Sequence, residues 1–194
     1  MSERADKTEL DAARRHAAER KLIESAKRGA RGAFEMLYRD HVGKVYGLCL
    51  RMTASPATAE DCTQETFVNA WRRLGAFEHR SAFASWLHRI AVNVVVSQSR
   101  GLGHTSRSDS NAEEEIAALP DPNLLDDGVI VDLETGIRSL PLRARQALVL
   151  VGVYGYSYEE AATLLEISIG TCKSQVHRAR QLLGERLDRE GHRL

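Results

Sequence analysis

Residues 157–180, Ser-Tyr-Glu-Glu-Ala-Ala-Thr-Leu-Leu-Glu-Ile-Ser-Ile-Gly-Thr-Cys-Lys-Ser-Gln-Val-His-Arg-Ala-Arg, decide the fold. Ser157 followed three residues on by Glu160 is a capping box, a helix-start signature. Ala161, Ala162, Leu164 and Leu165 then recur at helical spacing, Glu166-Ile167-Ser168 makes a short turn, and a second helix starts near Ile169. On it Ile169, Cys172, Val176 and Ala179 form an apolar stripe, with Lys173, Ser174, His177, Arg178 and Gln181 projecting away. Two short helices at this spacing read as a helix-turn-helix, whose second helix enters the major groove of DNA. Groove reading needs hydrogen-bonding and cationic side chains on an exposed face near the helix N-terminus. Lys173, Ser174 and His177 supply it, and Thr171 and Arg178 fall where phosphates should lie. The competing reading is an ordinary helical hairpin with a solvated polar face.

Upstream, the pattern stays helical. Ala33, Phe34, Leu37 and Tyr38, then Val42, Val45 and Tyr46, describe a long amphipathic element that begins near Leu22. Ser55-Pro56 is a helix restart, with Ser55 as N-cap and Pro56 at the first helical position. The next helix runs to about Leu74; Cys62, Phe67 and Trp71 point inward and Glu60, Asp61, Gln64 and Glu65 form an acidic ridge. Gly75–Ser81 is a loop, and a strongly apolar helix follows from Phe83 to about Ser99. Residues 101–128 mix Gly, Ser, Asp, Glu and two prolines with little periodicity and read as a flexible linker. Helices resume near Val129, hinged at Ser139-Leu-Pro141. The expected architecture is all-α. It comprises an N-terminal extension over 1–21 (frayed), a helical domain over 22–100, an acidic linker over 101–128, and a second helical domain over 129–194 that carries the helix-turn-helix.

Charge is zoned, although the formal net charge is zero. Trp71–Arg100 holds five arginines against Glu78, and Ile169–Leu183 holds three basic residues and no acid. Between them, Gly101–Thr135 holds nine acids against Arg107. Two basic zones separated by an acidic tether point to local contacts with nucleic acid rather than to a polycation. In the first zone Phe77, His79, Arg80, Phe83, Trp86 and Arg89 interleave aromatics with bases, as binders of unstacked single strands do. Core packing would equally explain Phe83 and Trp86, though not the arginines. Asn93, polar within the run Ile90–Val96, is either a satisfied core amide or a base-reading group.

Cys49, Cys62 and Cys172 are odd in number, widely spaced and free of C-x-x-C, against both a disulfide framework and a zinc site. No signal peptide is visible and no stretch is apolar enough to insert into a membrane, so a cytoplasmic protein is expected. No Gly-rich phosphate loop, H-E-x-x-H or nucleophile elbow is present, so no catalytic residue, metal or cofactor is assigned. A stand-alone regulator would account for the C-terminal half alone, leaving the acidic ridge and aromatic–basic loop unexplained. An RNA-binding protein is a further alternative.

At this point a resemblance becomes specific. Ala59-Glu-Asp-Cys-Thr-Gln-Glu-Thr-Phe-Val-Asn-Ala-Trp71 resembles the core-polymerase-binding helix of bacterial sigma factors. Phe77–Asn93, with Ser81-Ala-Phe-x-x-Trp-Leu-x-Arg-Ile-Ala-x-Asn, resembles the segment that melts and reads the −10 element. Leu140-Pro and Ser157–Arg180 resemble the domain that reads the −35 element. The likeness spans about 22–100 and 129–188, and two domains with a short linker are similar to the extracytoplasmic-function (ECF) sigma factors.

The resemblance implies that Asp61, Gln64 and Glu65 dock on the β′ clamp of core RNA polymerase, with the β flap as a second contact. It implies that Phe77, His79, Arg80, Ser81 and Ala82 belong to the loop that captures a flipped base, with Asn93 lining its pocket. Trp86 would support the strand fork, and Arg72, Arg73 and Arg89 would hold phosphates. Thr171, Lys173, Ser174, His177 and Arg178 would read the −35 duplex. Partners expected on this basis are core polymerase, promoter DNA and an anti-sigma factor, membrane-bound in many systems. Two departures stand out: Cys172 replaces an aliphatic residue, and Glu78-His79 replaces the more usual Arg-Gly.

Overall fold

The computed structural model describes residues 2–103 and 127–189. Most of the expected linker, and the acidic triplet Glu113–Glu115 within it, lies outside the described residues. Eight α-helices order the described chain, with no strand among them: α1 (Ser2–Lys27), α2 (Arg31–Thr53), α3 (Pro56–Arg73), α4 (Phe83–Gly103), α5 (Asp127–Ser139), α6 (Leu142–Leu148), α7 (Tyr158–Leu165) and α8 (Ile169–Arg189).

Each boundary has a local cause. Gly29, at φ 91°, breaks the chain between α1 and α2, so the long element read from Leu22 is two helices. The N-terminal stretch expected to fray over 1–21 is helical from Ser2 as part of α1; near its end Glu19 meets His41 of α2 at 2.9 Å, and beyond it Ile23 and Ala26 are buried. Ala54 closes α2 in the left-handed region, and its N–H donates to the Leu50 carbonyl. Ser55 then caps α3, its Oγ accepting from the Thr58 N–H at 3.3 Å with Pro56 at the first position. Pro141 separates α5 from α6 because it can neither donate to nor continue a helix.

Two cores result. Leu37, Leu48 and Met52 of α2, Ala59, Cys62 and Phe67 of α3, and Phe83, Leu87 and Val95 of α4 fill the first. Ile137, Leu140, Ala144, Ala147, Leu165, Cys172, Val176 and Ala179 fill the second. All three cysteines are free and buried, and Cys172 packs in the aliphatic position expected of a small hydrophobe. At Gly136 a Cβ would come within 2.8 Å of Leu183 Cδ2, so glycine permits the close approach of α5 and α8.

The two domains are docked. Arg145 of α6, buried, donates to the Met52 and Thr53 carbonyls at the end of α2, at 3.2 and 2.9 Å. It also donates to the Arg138 and Leu140 carbonyls at the end of α5, at 3.0 and 2.9 Å. A cation thus joins two helix C-termini, where the backbone dipole is negative. Arg51 pairs with Glu134 at 2.7 Å, and Gln146 donates to Ser99 Oγ at 3.0 Å.

Candidate nucleic-acid interface

The element expected at residues 157–180 forms as a helix-turn-helix. Ser157 Oγ accepts from the Glu160 N–H at 3.1 Å, while the Glu160 carboxylate accepts from the Ser157 N–H at 2.9 Å, completing the capping box. α7 ends at Glu166 in the left-handed region, with φ 51°. Ser168 then opens α8, its Oγ accepting from the Thr171 N–H at 3.0 Å. Cys172, Val176 and Ala179 are buried beneath α8. Ile169, expected in that stripe, is instead 41% exposed, in the first turn of α8. Thr171, Lys173, Ser174, His177 and Arg178 are all exposed on one side. The Lys173 ammonium lies 5.7 Å from the Tyr158 ring centroid, and Ser174 donates to the Gly170 carbonyl at 3.0 Å, so both are oriented in advance.

On α3, Asp61, Gln64 and Glu65 are exposed and share one face with Val68, 47% exposed. Trp71, expected to point inward, leans edgewise on Phe34 at 4.8 Å and stays 39% exposed. With Val68 it extends the face beyond Glu65, so the acidic ridge carries an apolar end that was not assigned from the sequence.

The loop between α3 and α4 divides into anchors and outward groups. Phe77, expected to contact a base, is buried, packed between Phe83 and Trp86 at centroid distances of 5.6 and 5.0 Å. It is a pedestal for the loop, because a ring enclosed on that many sides has no free face to offer. His79, also expected at the DNA, turns inward: its ring lies 4.8 Å from Phe77 and its Nε2 is 2.8 Å from Glu24 of α1. Arg80, Ser81 and Ala82 face solvent, as do Arg72, Arg73 and Arg89. Arg80 pairs with Glu78 at 2.6 Å, both largely exposed, a contact solvent screens heavily. Trp86 is half-buried. Asn93 is exposed, which removes the buried-amide alternative.

One wall of this surface faces the second domain. Arg80, Ser81, His88 and Arg89 line a cleft of about 690 Å³ closed on the far side by Tyr154, Tyr156 and Glu160. A second cleft, about 440 Å³, sets Arg89 and Asn93 opposite Glu159, Glu160 and Thr163. A π-helical turn at Val149–Val153 and Gly155, at φ 70°, throw Tyr154 and Tyr156 against α4. There His88 Nδ1 meets the Tyr156 hydroxyl at 2.8 Å, and its ring packs on Tyr154 at 4.4 Å. His88 Nε2 is buried without a partner, and burial pushes its pKa from 6.5 down to about 4. Neither tyrosine was assigned a role from the sequence.

A helix-turn-helix reading face and an aromatic–basic loop, carried on two helical domains, define a bipartite DNA-binding protein. The chain belongs to the sigma-70 family, in its extracytoplasmic-function branch. The sigma-70 region 2 model matches residues 37–105 and the sigma-70 region 4 model matches 130–183. The RNA polymerase sigma-H factor of Pseudomonas aeruginosa is 32% identical, over 87% of this chain and 93% of its own length. The ECF RNA polymerase sigma factor SigW of Bacillus subtilis is 30% identical over 87% of this chain and 96% of its own. Among solved structures, the sigma factor RpoE in complex with the anti-sigma factor NepR from Bartonella quintana matches with a TM-score of 0.58. That match is 32% identical and covers 80% of this chain and 96% of that one. CnrH in complex with the cytosolic domain of CnrY matches with a TM-score of 0.53 at 25% identity, covering 88% and 97%. Among the described residues, no helix is long and apolar enough to cross a membrane.

Proposed function

We propose that this ECF sigma factor divides promoter recognition between domains at 22–100 and 129–194, joined by the segment 101–128. In the first, Asp61, Gln64 and Glu65 meet basic side chains on the β′ clamp of core polymerase. Arg80, Ser81, Ala82 and Asn93 receive an unstacked base of the −10 element, with Trp86 at the fork and Arg72, Arg73 and Arg89 on phosphates. Extruding that base costs a few kcal/mol, which stacking and hydrogen bonds must offset. In the second domain Lys173, Ser174 and His177 read −35 base edges while Thr171 and Arg178 hold the backbone, and the β flap holds the domain on the polymerase.

The protein acts as an initiation factor in the cytoplasm and catalyses no reaction of its own. An anti-sigma factor controls it, a reading supported by the RpoE–NepR and CnrH–CnrY complexes. The observation that carries the proposal is the exposed polar face of α8, ordered by its capping residues and lying on the same chain as the α3 ridge.

Run-off transcription tests it: the purified chain is added to core RNA polymerase on a pool of genomic promoter fragments. New transcripts sharing one −35 and −10 pair are expected. No transcripts and no co-migration with core polymerase would leave a stand-alone DNA-binding regulator as the better account.

A further inference from the structure

The loop that carries Arg80, Ser81 and Ala82 is held from an unexpected direction. His79 adopts φ 57°, a left-handed backbone conformation that side chains with a Cβ rarely take. Its side chain is turned away from solvent, only 22% exposed, with Nε2 2.8 Å from Glu24 Oε1. The same carboxylate oxygen accepts from Lys27 Nζ at 2.9 Å, and that ammonium lies 5.9 Å from the centroid of Phe77. The last turns of α1 therefore grip both inward-facing residues of the loop, Phe77 and His79. His79 and Lys27 together hold the Glu24 carboxyl well below its usual range, at about 2, so it stays ionised. Six peptide bonds separate Phe77 from Phe83, both buried; at the far end of the loop between them the Ala82 carbonyl accepts from the Trp86 N–H at 3.1 Å, and His79 is the side chain that ties its near half to α1.

Resting on the −10 reading above, we propose that Glu24 is a positioning residue for the −10 loop, setting through His79 the conformation in which Arg80, Ser81 and Ala82 meet the captured base. α1 is then part of the recognition apparatus rather than an appendage. His79 is a strut, and the base preference is determined by the residues that follow it.

The test compares Glu24→Gln, His79→Gly and the double variant as complete chains in reconstituted holoenzyme, on promoters carrying each base at the captured position. Glu24→Gln should reduce discrimination between the best and worst base about three- to tenfold, the scale for losing a half-exposed charge-assisted hydrogen bond. Affinity for core polymerase and protection of the −35 duplex should not change. Glu24→Asp, which keeps the charge, should restore part of the discrimination. In the His79→Gly background, Glu24→Gln should have little further effect on discrimination, because the direct bond to the loop is gone and only the Lys27 contact over Phe77 remains. Unchanged discrimination in Glu24→Gln, or independent effects of the two substitutions, would overturn the proposal. Amide hydrogen exchange over residues 77–82 of the isolated chain gives a second readout that needs no transcription. Exchange should speed up in Glu24→Gln, and equal rates would refute the strut even if the chain drove no transcription at all.

Discussion

Arg145 brings a cation into the interior with no carboxylate beside it. Four backbone carbonyls take its place, and burial lowers its pKa to about 10. The residue stays charged at neutral pH, so its worth lies in charge-assisted hydrogen bonds to carbonyls that no helix can satisfy internally. Arg145→Leu should cost about 2–3 kcal/mol of stability, read as a lowered denaturant midpoint; a loss under about 1 kcal/mol would mean water replaces the guanidinium easily. His88 is the complementary case, an imidazole kept neutral by its surroundings. A base whose pKa is depressed by docking supports that docking fully above about 6.5 and loses the support as pH falls toward about 4. The distance between the two domains, followed by fluorescence energy transfer, should therefore lengthen across that window. His88→Phe keeps the ring packing without the nitrogen and should abolish the change. A wild-type distance that does not move between pH 7 and 4 would contradict this account of the contact.

At the level of elements, α8 depends on two kinds of residue, those that place it and those that read. Gly136 belongs to the first kind. Gly136→Ala puts a methyl 2.8 Å from Leu183 Cδ2; if Leu183 is held in place, the overpacking cost of about 1–3 kcal/mol outweighs the ~1 kcal/mol that alanine gains over glycine in a helix, and the second domain loses stability. If Leu183 swings aside freely, calorimetry will show no loss. In the proposed function Lys173 belongs to the second kind, with Arg178 beside it on the DNA backbone. If Arg178 holds a phosphate, Arg178→Ala should reduce the slope of log affinity against log salt for −35 duplex binding by about one unit. A shift in affinity with an unchanged slope would exclude a phosphate contact. The capping box, the turn at 166–168 and the buried stripe of α8 were legible in the sequence because neighbours in space there are three or four residues apart. The part played by α1 was not legible. Glu19 meets His41 and Glu24 meets His79 across 22 and 55 residues, and neither pairing leaves a periodic trace. Phe77 was misread for a related reason. An aromatic beside arginines in a loop looks the same whether its ring faces solvent or lies beneath the chain, and only the positions of Phe83 and Trp86 decide. Arg145 was invisible because its partners are carbonyls, which every residue has.

For the whole molecule, size decides what the docked arrangement can do. A compact chain of this length is ~40 Å across. The −35 and −10 elements are separated by roughly 25 base pairs, or ~85 Å at ~3.4 Å per pair. The docked form therefore cannot engage both elements of one promoter, and Arg89 and Asn93, proposed for −10 contacts, already face Tyr156, Glu159 and Glu160. Labels on α3 and α8 should move apart when holoenzyme forms an open complex. An unchanged distance during productive transcription would rule out separation. Residues 104–126 have a contour length of at most ~80 Å, enough to allow it.

That same covalent tether has a consequence for how strong the docking needs to be. Two domains on one chain meet at an effective concentration on the order of millimolar, whatever the bulk concentration. Contacts such as Arg145 with the end of α2 and His88 with Tyr156 can thus dominate in the free chain although the same surfaces on separate molecules would scarcely bind. A single proteolytic cut between residues 104 and 126 would leave every one of those contacts chemically intact. At micromolar concentration it would turn a molecule that folds back on itself into two fragments that ignore each other.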